Sequence, residues 1–322
     1  MGKLSMTDTK LSKVVAINQS IQNKATNSKF AIEPQLSITQ DENGLEYIEI
    51  DNALATAKIA LQGGHIISWQ PKLQEQPVLW VSSNTRYEKG RSIRGGVPIC
   101  WPWFGAHPTD GTLCPHGFAR VIPWQLIEAE PTRHGATRIT LQMTETSEAR
   151  RQLSYPYLLS ITMTIGDTLR IELSTTNKST HPFLVGEAFH TYFNISDIGN
   201  VTIKGLEDTL FADKVFGYER RLQRGDISFN GEFDRVYLNT TADTIIEDTG
   251  LNRKIRIGTS RSQSTIIWTP WADKAEQMSD MGSKDEWRKT VCVETGNALD
   301  NAVVISPNKT HTMAVEYSVE EL

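Results

Sequence analysis

The stretch Leu169-Arg-Ile-Glu-Leu-Ser174 alternates apolar and polar side chains. Successive side chains of a β-strand point to opposite faces, so a period of two predicts a strand with one buried face. We therefore predict that strands are the main building element of the chain. Similar short runs recur at residues 45–50, 53–61, 138–143, 158–165, 168–176, 200–204, 254–259, 265–269 and 311–318.

Turn-forming sequences separate many of these predicted strands. Asp41-Glu-Asn-Gly44, Gln62-Gly-Gly64 and Asp248-Thr-Gly250 combine glycine with short polar side chains, a composition typical of tight reversals. Helical patterns are confined to residues 147–153 and 271–281, and they do not alternate with the strands. The sequence thus predicts an all-β fold, a large antiparallel β-sandwich with few short helices.

Length and composition indicate one globular domain that follows a polar segment. Of the 322 residues, 39% are hydrophobic and 22% are charged, which is ample material for a core. Residues 1–30 are rich in small polar residues and lack the apolar run of a signal peptide, so we predict a peripheral or poorly ordered segment. No repeat or linker divides the remainder, and residues 31–322 are predicted to form a single β-sandwich domain.

Charge and cysteine content narrow the range of partners. Thirty-three basic and 38 acidic residues give a formal net charge of −5, which opposes general binding to nucleic acid or to anionic membranes. Cys100, Cys114 and Cys292 form an odd, irregularly spaced set that suits a reducing compartment. We expect a cytoplasmic monomer without a structural disulfide or membrane span, whose partner is a small molecule.

The segment from Arg94 to Arg120 has the composition of a ligand-binding wall. It begins Arg94-Gly-Gly-Val-Pro-Ile-Cys-Trp-Pro-Trp-Phe-Gly-Ala-His107 and ends Pro115-His116-Gly-Phe-Ala-Arg120. Glycines allow close approach of the backbone, aromatic rings offer flat faces to a sugar, and guanidinium groups match phosphate or carboxylate oxygens. The segment therefore predicts one side of a small-molecule site.

Three further residues are candidates for the chemistry. His190 lies in an aromatic, strand-forming segment where alternation places it on one face with Ala188 and Tyr192, although a histidine there often has only a packing role. Glu294 follows three apolar residues, so desolvation should make it a stronger base, unless it simply leaves the strand before a turn. Asp234 begins a predicted strand, and capping a turn is its ordinary alternative.

Other site types fit the sequence less well. The histidines form no short-spaced pair of the kind that marks a zinc site on a helix, so no metal site is predicted. The chain lacks a nucleophile elbow, and Gly95-Gly96 is not followed by the Lys-Ser/Thr ending of a phosphate loop. Serine hydrolase and nucleotide-binding readings are therefore set aside.

Six motifs, taken in order, resemble the aldose 1-epimerase superfamily and, within it, the hexose-6-phosphate mutarotases. The resemblance covers residues 35–320 and implies a galactose mutarotase-like β-sandwich that carries its sugar in a cleft on one sheet. The motifs are Gly63-Gly-His-Ile-Ile-Ser-Trp69, Arg94-Gly-Gly-Val-Pro-Ile-Cys-Trp-Pro102, Pro115-His-Gly-Phe-Ala-Arg120, Phe189-His-Thr-Tyr-Phe193, Asp234-Arg-Val-Tyr237 and Val293-Glu294.

The resemblance also implies roles for the matched residues. Glu294 would be the general base that deprotonates the anomeric hydroxyl, and His190 the general acid that protonates the ring oxygen. The sugar would then open, rotate about C1–C2 and close as the other anomer, without a cofactor. His116 and Asp234 would bind sugar hydroxyls, while the substrate-binding residues Arg94 and Arg120 would engage the 6-phosphate.

Two departures from the family pattern and three other functions stay open. Thr295 replaces a frequent proline after Glu294, which predicts a less rigid turn, and Glu187 could lie near the rim of the cleft. A non-catalytic sugar-phosphate sensor and a mutarotase for unphosphorylated aldoses are alternatives on the same scaffold. A glycosidase that uses Glu187 and Glu294 as its carboxylate pair is the fourth possibility.

Overall fold

The computed structural model describes residues 35–322, so the predicted segment 1–30 lies outside the described residues. Two α-helices occur in this range, α1 (Ser147–Gln152) and α2 (Trp271–Gln277). Short 3₁₀ turns cover Ala119–Val121, Ile198–Asn200, Glu286–Lys289 and Leu299–Asn301. The strands are β1 (Leu36–Gln40), β2 (Glu46–Asp51), β3 (Ala55–Ala60), β4 (His65–Pro71), β5 (Ile99–Cys100), β6 (Trp124–Pro131), β7 (Thr137–Met143), β8 (Tyr157–Ile165), β9 (Leu169–Asn177), β10 (Phe183–Val185), β11 (Glu187–Phe189), β12 (Tyr192–Asn194), β13 (Val201–Lys204), β14 (Leu210–Asp213), β15 (Glu219–Leu222), β16 (Phe233–Leu238), β17 (Thr244–Asp248), β18 (Arg253–Ser260), β19 (Ser264–Thr269), β20 (Thr290–Asn297), β21 (Val303–Ile305) and β22 (Thr310–Glu321).

Two eight-stranded antiparallel sheets form the body of the fold. The site sheet runs in the order β15-β14-β16-β19-β20-β11-β5, with β12 also paired to β20. The back sheet runs β13-β17-β18-β22-β9-β8-β7-β6. A four-stranded sheet, β1 to β4, and the pair β10-β21 complete the architecture, which confirms the predicted all-β antiparallel sandwich.

The alternating stretch that predicted the fold lies in the middle of the back sheet. Leu169, Ile171 and Leu173 are fully buried, and the intervening side chains of Arg170 and Glu172 form a partly exposed ion pair at 3.0 Å. The apolar side chains join the largest core cluster of the described residues. One face of β9 therefore supplies the interior and the other faces water, as the period of two requires.

Buried hydrogen bonds tie the site sheet to the back sheet. The indole Nε1 of Trp101 donates to Oγ1 of Thr175 at 3.0 Å. Between β11 and β12, Oγ1 of Thr191 lies 2.5 Å from the hydroxyl of Tyr317. Buried polar groups without partners are costly, so these bonds fix how the two sheets pack.

Each predicted strand is present, whereas the second helix is shorter than predicted. The helical pattern of residues 271–281 predicts three turns, but α2 ends at Gln277 and Met278 is extended. The next residues bond elsewhere, because Asn84 donates to the Ser279 carbonyl at 2.6 Å and Asp280 accepts from Arg94. Among residues 35–322, neither α-helix is long and apolar enough to cross a membrane.

Candidate active site

The site sheet brings His190 and Glu294 together in space. His190 lies between β11 and β12, and Glu294 lies within β20, to which both of those strands pair. Nε2 of His190 is 3.4 Å from Oε1 of Glu294, and the side chains are 11% and 1% exposed. The remaining atoms, Nδ1 and Oε2, are buried without a hydrogen-bond partner. Unpartnered buried polar atoms cost free energy and are therefore expected where a ligand is to supply the partner.

The predicted side-chain alternation around His190 is confirmed even though strand pairing is interrupted there. The His190 ring stacks on Tyr192 with centroids 5.0 Å apart, so both side chains face the site. Thr191 points the other way, toward Tyr317 of the back sheet. The main-chain N–H of His190 donates to the Pro98 carbonyl at 2.9 Å, which holds the unpaired residue in place.

The predicted turn after Glu294 is wrong. Strand β20 continues to Asn297, and Thr295 pairs with Phe189 on one side and Thr265 on the other. Glu294 itself lies opposite Ile266 of β19. Since the carboxylate is carried by a strand hydrogen-bonded on both sides, its position does not depend on a proline in the next residue.

Burial shifts the two central groups in opposite directions. Burial raises the pKa of Glu294 well above its ordinary value, while the ammonium of Lys214 opposes the shift. Burial likewise lowers the pKa of His190 well below its ordinary value, and the positive charges of Arg120 and Arg94 add to the effect. Burial therefore favours the uncharged form of each group, a neutral imidazole beside a protonated carboxyl across the 3.4 Å contact.

His116 presents its ring beside His190, with the ring centroids 5.5 Å apart. Its Nδ1 accepts from the N–H of Gly105 at 3.4 Å and lies 3.3 Å from Sγ of Cys100. Burial lowers the pKa of His116 to about 3, with Arg120 contributing. The imidazole is therefore neutral near pH 7, and with Nδ1 as acceptor the hydrogen is on Nε2.

Backbone strain accompanies this placement of His116. His116 itself has a φ of 68° and the following Gly117 a φ of 74°. A Cβ at Gly117 would lie 2.0 Å from the Trp101 carbonyl oxygen, so only glycine fits against the backbone of Trp101. Strained backbone at a half-buried polar residue such as His116 is typical of functional sites.

Asp234 lies within β16 rather than at a turn, and it forms an ion pair with Lys214. Its Oδ2 is 2.9 Å from Nζ of Lys214, while Oδ1 is buried without a partner. Burial raises the pKa of Asp234, and the neighbouring ammonium opposes that shift. Lys214 also lies 5.5 Å from the ring centroid of Phe104. The pair offers one free acceptor and one cation to a polar ligand.

Arg94 and Arg120 line the same cavity, of about 520 Å³, which we call the arginine cavity. Arg94 donates to Asp280 and to the hydroxyl of Tyr192, and Arg120 donates to the Pro115 carbonyl at 2.6 Å. Arg120 has no acidic partner among the described residues. The other residues of the cavity are Arg86, Gly90, Arg91, Ser92, Cys114, Gly117, Val121, Gln277, Met278, Ser279 and Asp280. Guanidinium groups gathered in one cavity favour an anionic ligand.

Two sequence candidates lie elsewhere. Glu187 is fully buried on the opposite side of the site sheet, where its Oε1 accepts from His311 at 2.9 Å and Asn297 at 3.0 Å. The prediction that Glu187 lies near the cleft rim is therefore wrong. The glycosidase alternative is also wrong, because Glu187 and Glu294 do not face one cleft as a carboxylate pair. His107 is half-buried: its Nδ1 accepts main-chain hydrogen bonds from its own loop, and its ring packs on Trp103 rather than on His190.

Four residues of the site were not predicted as site residues. Tyr192 stacks on His190, Lys214 pairs with Asp234, Asp280 binds Arg94, and Cys292 lies beside Glu294. The only sequence signal was the alternation that places Tyr192 on the His190 face. The others are brought to the site by strand pairing and by the segment after α2, which a single sequence does not specify.

One group of donor atoms in the site could hold a metal ion. One atom each from His190, Cys292 and Glu294 lies within 4.8 Å of the other two. Nitrogen, sulfur and carboxylate oxygen are the donors that zinc uses in proteins. The sequence analysis missed this group because its members come from two strands and show no ligand spacing. That the reaction needs no metal stays a prediction.

Strand content and sheet order place the chain in the class of galactose mutarotase-like β-sandwiches. The crystal structure of a "putative mutarotase" from Salmonella typhimurium superposes with a TM-score of 0.84 at 34% sequence identity. The superposition covers 91% of this chain and 96% of that one.

Sequence comparison identifies the family. The family model described as "Aldose 1-epimerase" matches residues 46–318, and the chain belongs to this family. A protein of Escherichia coli K12 named "Putative glucose-6-phosphate 1-epimerase" is 37% identical over 268 residues, which are 83% of this chain and 88% of that protein. A protein of Cenchrus ciliaris with the same name is 30% identical over 286 residues, or 86% and 85% of the two chains. The predicted resemblance to this superfamily is confirmed.

Proposed function

We propose that the protein is an isomerase that interconverts the α and β anomers of hexose 6-phosphates, with glucose 6-phosphate as its substrate. The observation that carries the proposal is the contact between His190 and Glu294 on a sheet whose neighbouring cavity holds Arg94 and Arg120. Membership of the aldose 1-epimerase family supports the reaction type. The names of the Escherichia coli and Cenchrus ciliaris relatives, both "Putative glucose-6-phosphate 1-epimerase", support a phosphorylated substrate.

In the proposed mechanism, Glu294 accepts a proton from the sugar while His190 donates another proton to it. Glu294 as carboxylate takes the proton of the anomeric hydroxyl while protonated His190 delivers one to the ring oxygen, and the C1–O5 bond breaks. Rotation about C1–C2 then presents the other face of the aldehyde. On closure, His190 takes the proton from the O5 hydroxyl and Glu294 returns its proton to O1, which restores both groups.

The burial of the pair explains why substrate binding matters for this cycle. Without a ligand, burial favours the proton on Glu294 and a neutral His190, which is the distribution reached after ring opening. Sugar hydroxyls that donate to the carboxylate stabilise its charged form, as does the positive charge of Lys214. Substrate binding therefore favours transfer of the proton from Glu294 to His190. Ring opening starts from this state, with a carboxylate at Glu294 and a protonated His190.

The remaining polar residues are assigned to sugar and phosphate. His116 donates from Nε2 to an oxygen near the reacting centre, and the free Oδ1 of Asp234 accepts from a ring hydroxyl farther away. Arg94 and Arg120 bind the 6-phosphate through charge-assisted hydrogen bonds. We also infer that the protein works as a cytoplasmic monomer, with neither nucleic acid nor a membrane as partner, in keeping with its net charge of −5.

Exchange spectroscopy on the anomeric protons of glucose 6-phosphate tests the proposal. Catalytic amounts of protein should accelerate exchange between the α and β signals well above the buffer rate. Arg120→Ala should lose most of this acceleration with glucose 6-phosphate, while the exposed control Arg133→Ala should retain it. Equal acceleration with unphosphorylated glucose would instead support a neutral-sugar mutarotase, and binding without acceleration would support a sensor.

A further inference from the structure

Cys292 is a buried thiol in the site that the proposed mechanism does not use. It is fully buried and free, and it precedes Glu294 by two residues on β20, so both side chains face the same side of the sheet. Cys292 also pairs with Tyr192 of β12 and Trp268 of β19, whose rings contact His190. The thiol therefore lies directly beside the acid–base pair.

The donor atoms in this corner have the spacing of a metal chelate. In a tetrahedral zinc site, two nitrogen or oxygen ligands lie about 3.3 Å apart and a sulfur ligand about 3.6 Å from either. Nε2 of His190 and Oε1 of Glu294 are already 3.4 Å apart. One donor atom from each of the three side chains, Cys292 included, lies within 4.8 Å of the others, so contraction by about 1 Å completes the set.

Two observations indicate that the donor atoms of His190, Cys292 and Glu294 have unused binding capacity. Oε2 of Glu294 and Nδ1 of His190 are both buried and make no hydrogen bond. Within residues 35–322, no hydrogen bond to the Cys292 thiol is seen either, and all three cysteines are free. His190 is the partly exposed member, with 11% of its side chain accessible, and it provides the side from which a cation enters.

We propose that His190, Cys292 and Glu294 form an inhibitory site for zinc and chemically similar divalent cations. The cation forms bonds to nitrogen, sulfur and oxygen, and the protons of the thiol and of the carboxyl pass to the solvent. A water molecule takes the fourth coordination position of the cation. Because the cation occupies both groups that move the substrate proton, it competes with the reaction.

Cobalt(II) binding tests the site without reference to catalysis. The assay protein is the full chain with Cys100→Ser and Cys114→Ser, in which Cys292 is the sole remaining cysteine. Added Co²⁺ should give a thiolate-to-cobalt charge-transfer band and tetrahedral d–d bands at one equivalent, and Zn²⁺ should displace it. Replacement of Cys292 by Ser in the same protein should abolish the charge-transfer band and weaken Co²⁺ affinity at least tenfold.

X-ray absorption on the zinc-loaded assay protein provides a measurement that needs no Cys292 variant. A first shell with one sulfur and two or more nitrogen or oxygen ligands is expected, and a shell of nitrogen and oxygen alone would overturn the proposal. So would Co²⁺ bands that persist in Cys292→Ser.

Inhibition rests on the proposed function and is measured separately. Micromolar Zn²⁺ should slow anomer exchange by the wild-type protein, and a chelator should restore it. Each variant is compared with its own zinc-free rate, and Cys292→Ser should need at least tenfold more Zn²⁺ for the same fractional inhibition. Failure of the exchange assay with intact Co²⁺ bands would refute the function and leave the site standing.

Discussion

Nη1 of Arg94 donates a 2.7 Å hydrogen bond to the hydroxyl of Tyr192. The ring of the same tyrosine stacks on His190 at an interplanar angle of 13°. One aromatic side chain thus joins the arginine cavity to the acid–base pair. Asp280 holds the other side of the guanidinium at 3.1 Å, so Arg94 is fixed in direction before any ligand arrives.

Tyr192→Phe should separate this positioning role from the chemistry. The variant keeps the ring that stacks on His190 and removes only the acceptor for Arg94. We expect KM for glucose 6-phosphate to rise about tenfold, equivalent to ~1.4 kcal/mol for one hydrogen bond to a charged group, with a smaller change in kcat. Steady-state anomer exchange measures both constants. A loss confined to kcat would contradict the assignment.

Lys214→Met should impair the reaction by leaving the carboxylates without their cation. Asp234 loses its 2.9 Å partner and Glu294 loses the charge that opposes its pKa rise. We expect kcat/KM to fall ~100-fold, since removing one member of a buried pair is strongly destabilising to the other. The pKa of the alkaline limb of the kcat profile should also move upward. An unchanged limb would exclude Lys214 from the electrostatics of Glu294.

The pH dependence of kcat should reflect the lowered pKa of His190. Burial, and then the positive charges beside it, hold the pKa of His190 well below its ordinary value of 6.5. The His190–Glu294 pair therefore takes up a second proton only at a pH well below 6.5. As the pH falls through 6.5, kcat should therefore remain constant, after the buffer rate is subtracted. Arg94→Gln removes one of those charges and should move the acid limb toward higher pH. A decline centred at or above 6.5 in the wild type would contradict this prediction.

His65 should make stability depend on pH. It is fully buried, its Nε2 donates to the Gly95 carbonyl at 2.7 Å, and burial lowers its pKa to about 4. His65 takes up a proton near pH 6.5 in the unfolded chain but only near pH 4 in the folded chain. The stabilisation that neutral His65 gives the folded state is therefore fully present above pH 6.5 and is lost as the pH falls toward 4.

Urea unfolding at pH 7 and pH 4 measures this contribution. From pH 7 to pH 4, the free energy of unfolding should fall by ~2 to 4 kcal/mol more in the wild type than in His65→Gln. Other groups titrate in both proteins and cancel in the comparison. Equal losses in the two proteins would show that His65 does not account for the dependence.

The strands could be predicted well because a strand that is buried on one face has an apolar side chain at every second residue. The prediction failed at the end of α2, where residues 278–281 continue the helical pattern but Ser279 and Asp280 bond to Asn84 and Arg94. It failed again after Glu294, because a glycine at position 296 suggests a turn while β20 continues between two partners. In both places, contacts with distant segments outweigh the local preference.

The site was predictable only where its residues fall in recognisable motifs. His190, Glu294, His116, Asp234, Arg94 and Arg120 were all named from such motifs. Lys214 follows β14, and only the pairing of β14 with β16 brings it to Asp234. Cys292 looks like an ordinary apolar strand residue until β12 and β19 are placed beside it. The register between paired strands decides these contacts of Lys214 and Cys292, and that register cannot be read from a single sequence.

The most direct test of the central claim is the anomer exchange rate of glucose 6-phosphate for the wild type, Glu294→Gln and His190→Ala, each shown to be folded. If this pair moves the protons, the wild type should greatly exceed the buffer rate, and each variant should lose at least ~100-fold of that excess. Retention of the wild-type rate by either variant would contradict the account.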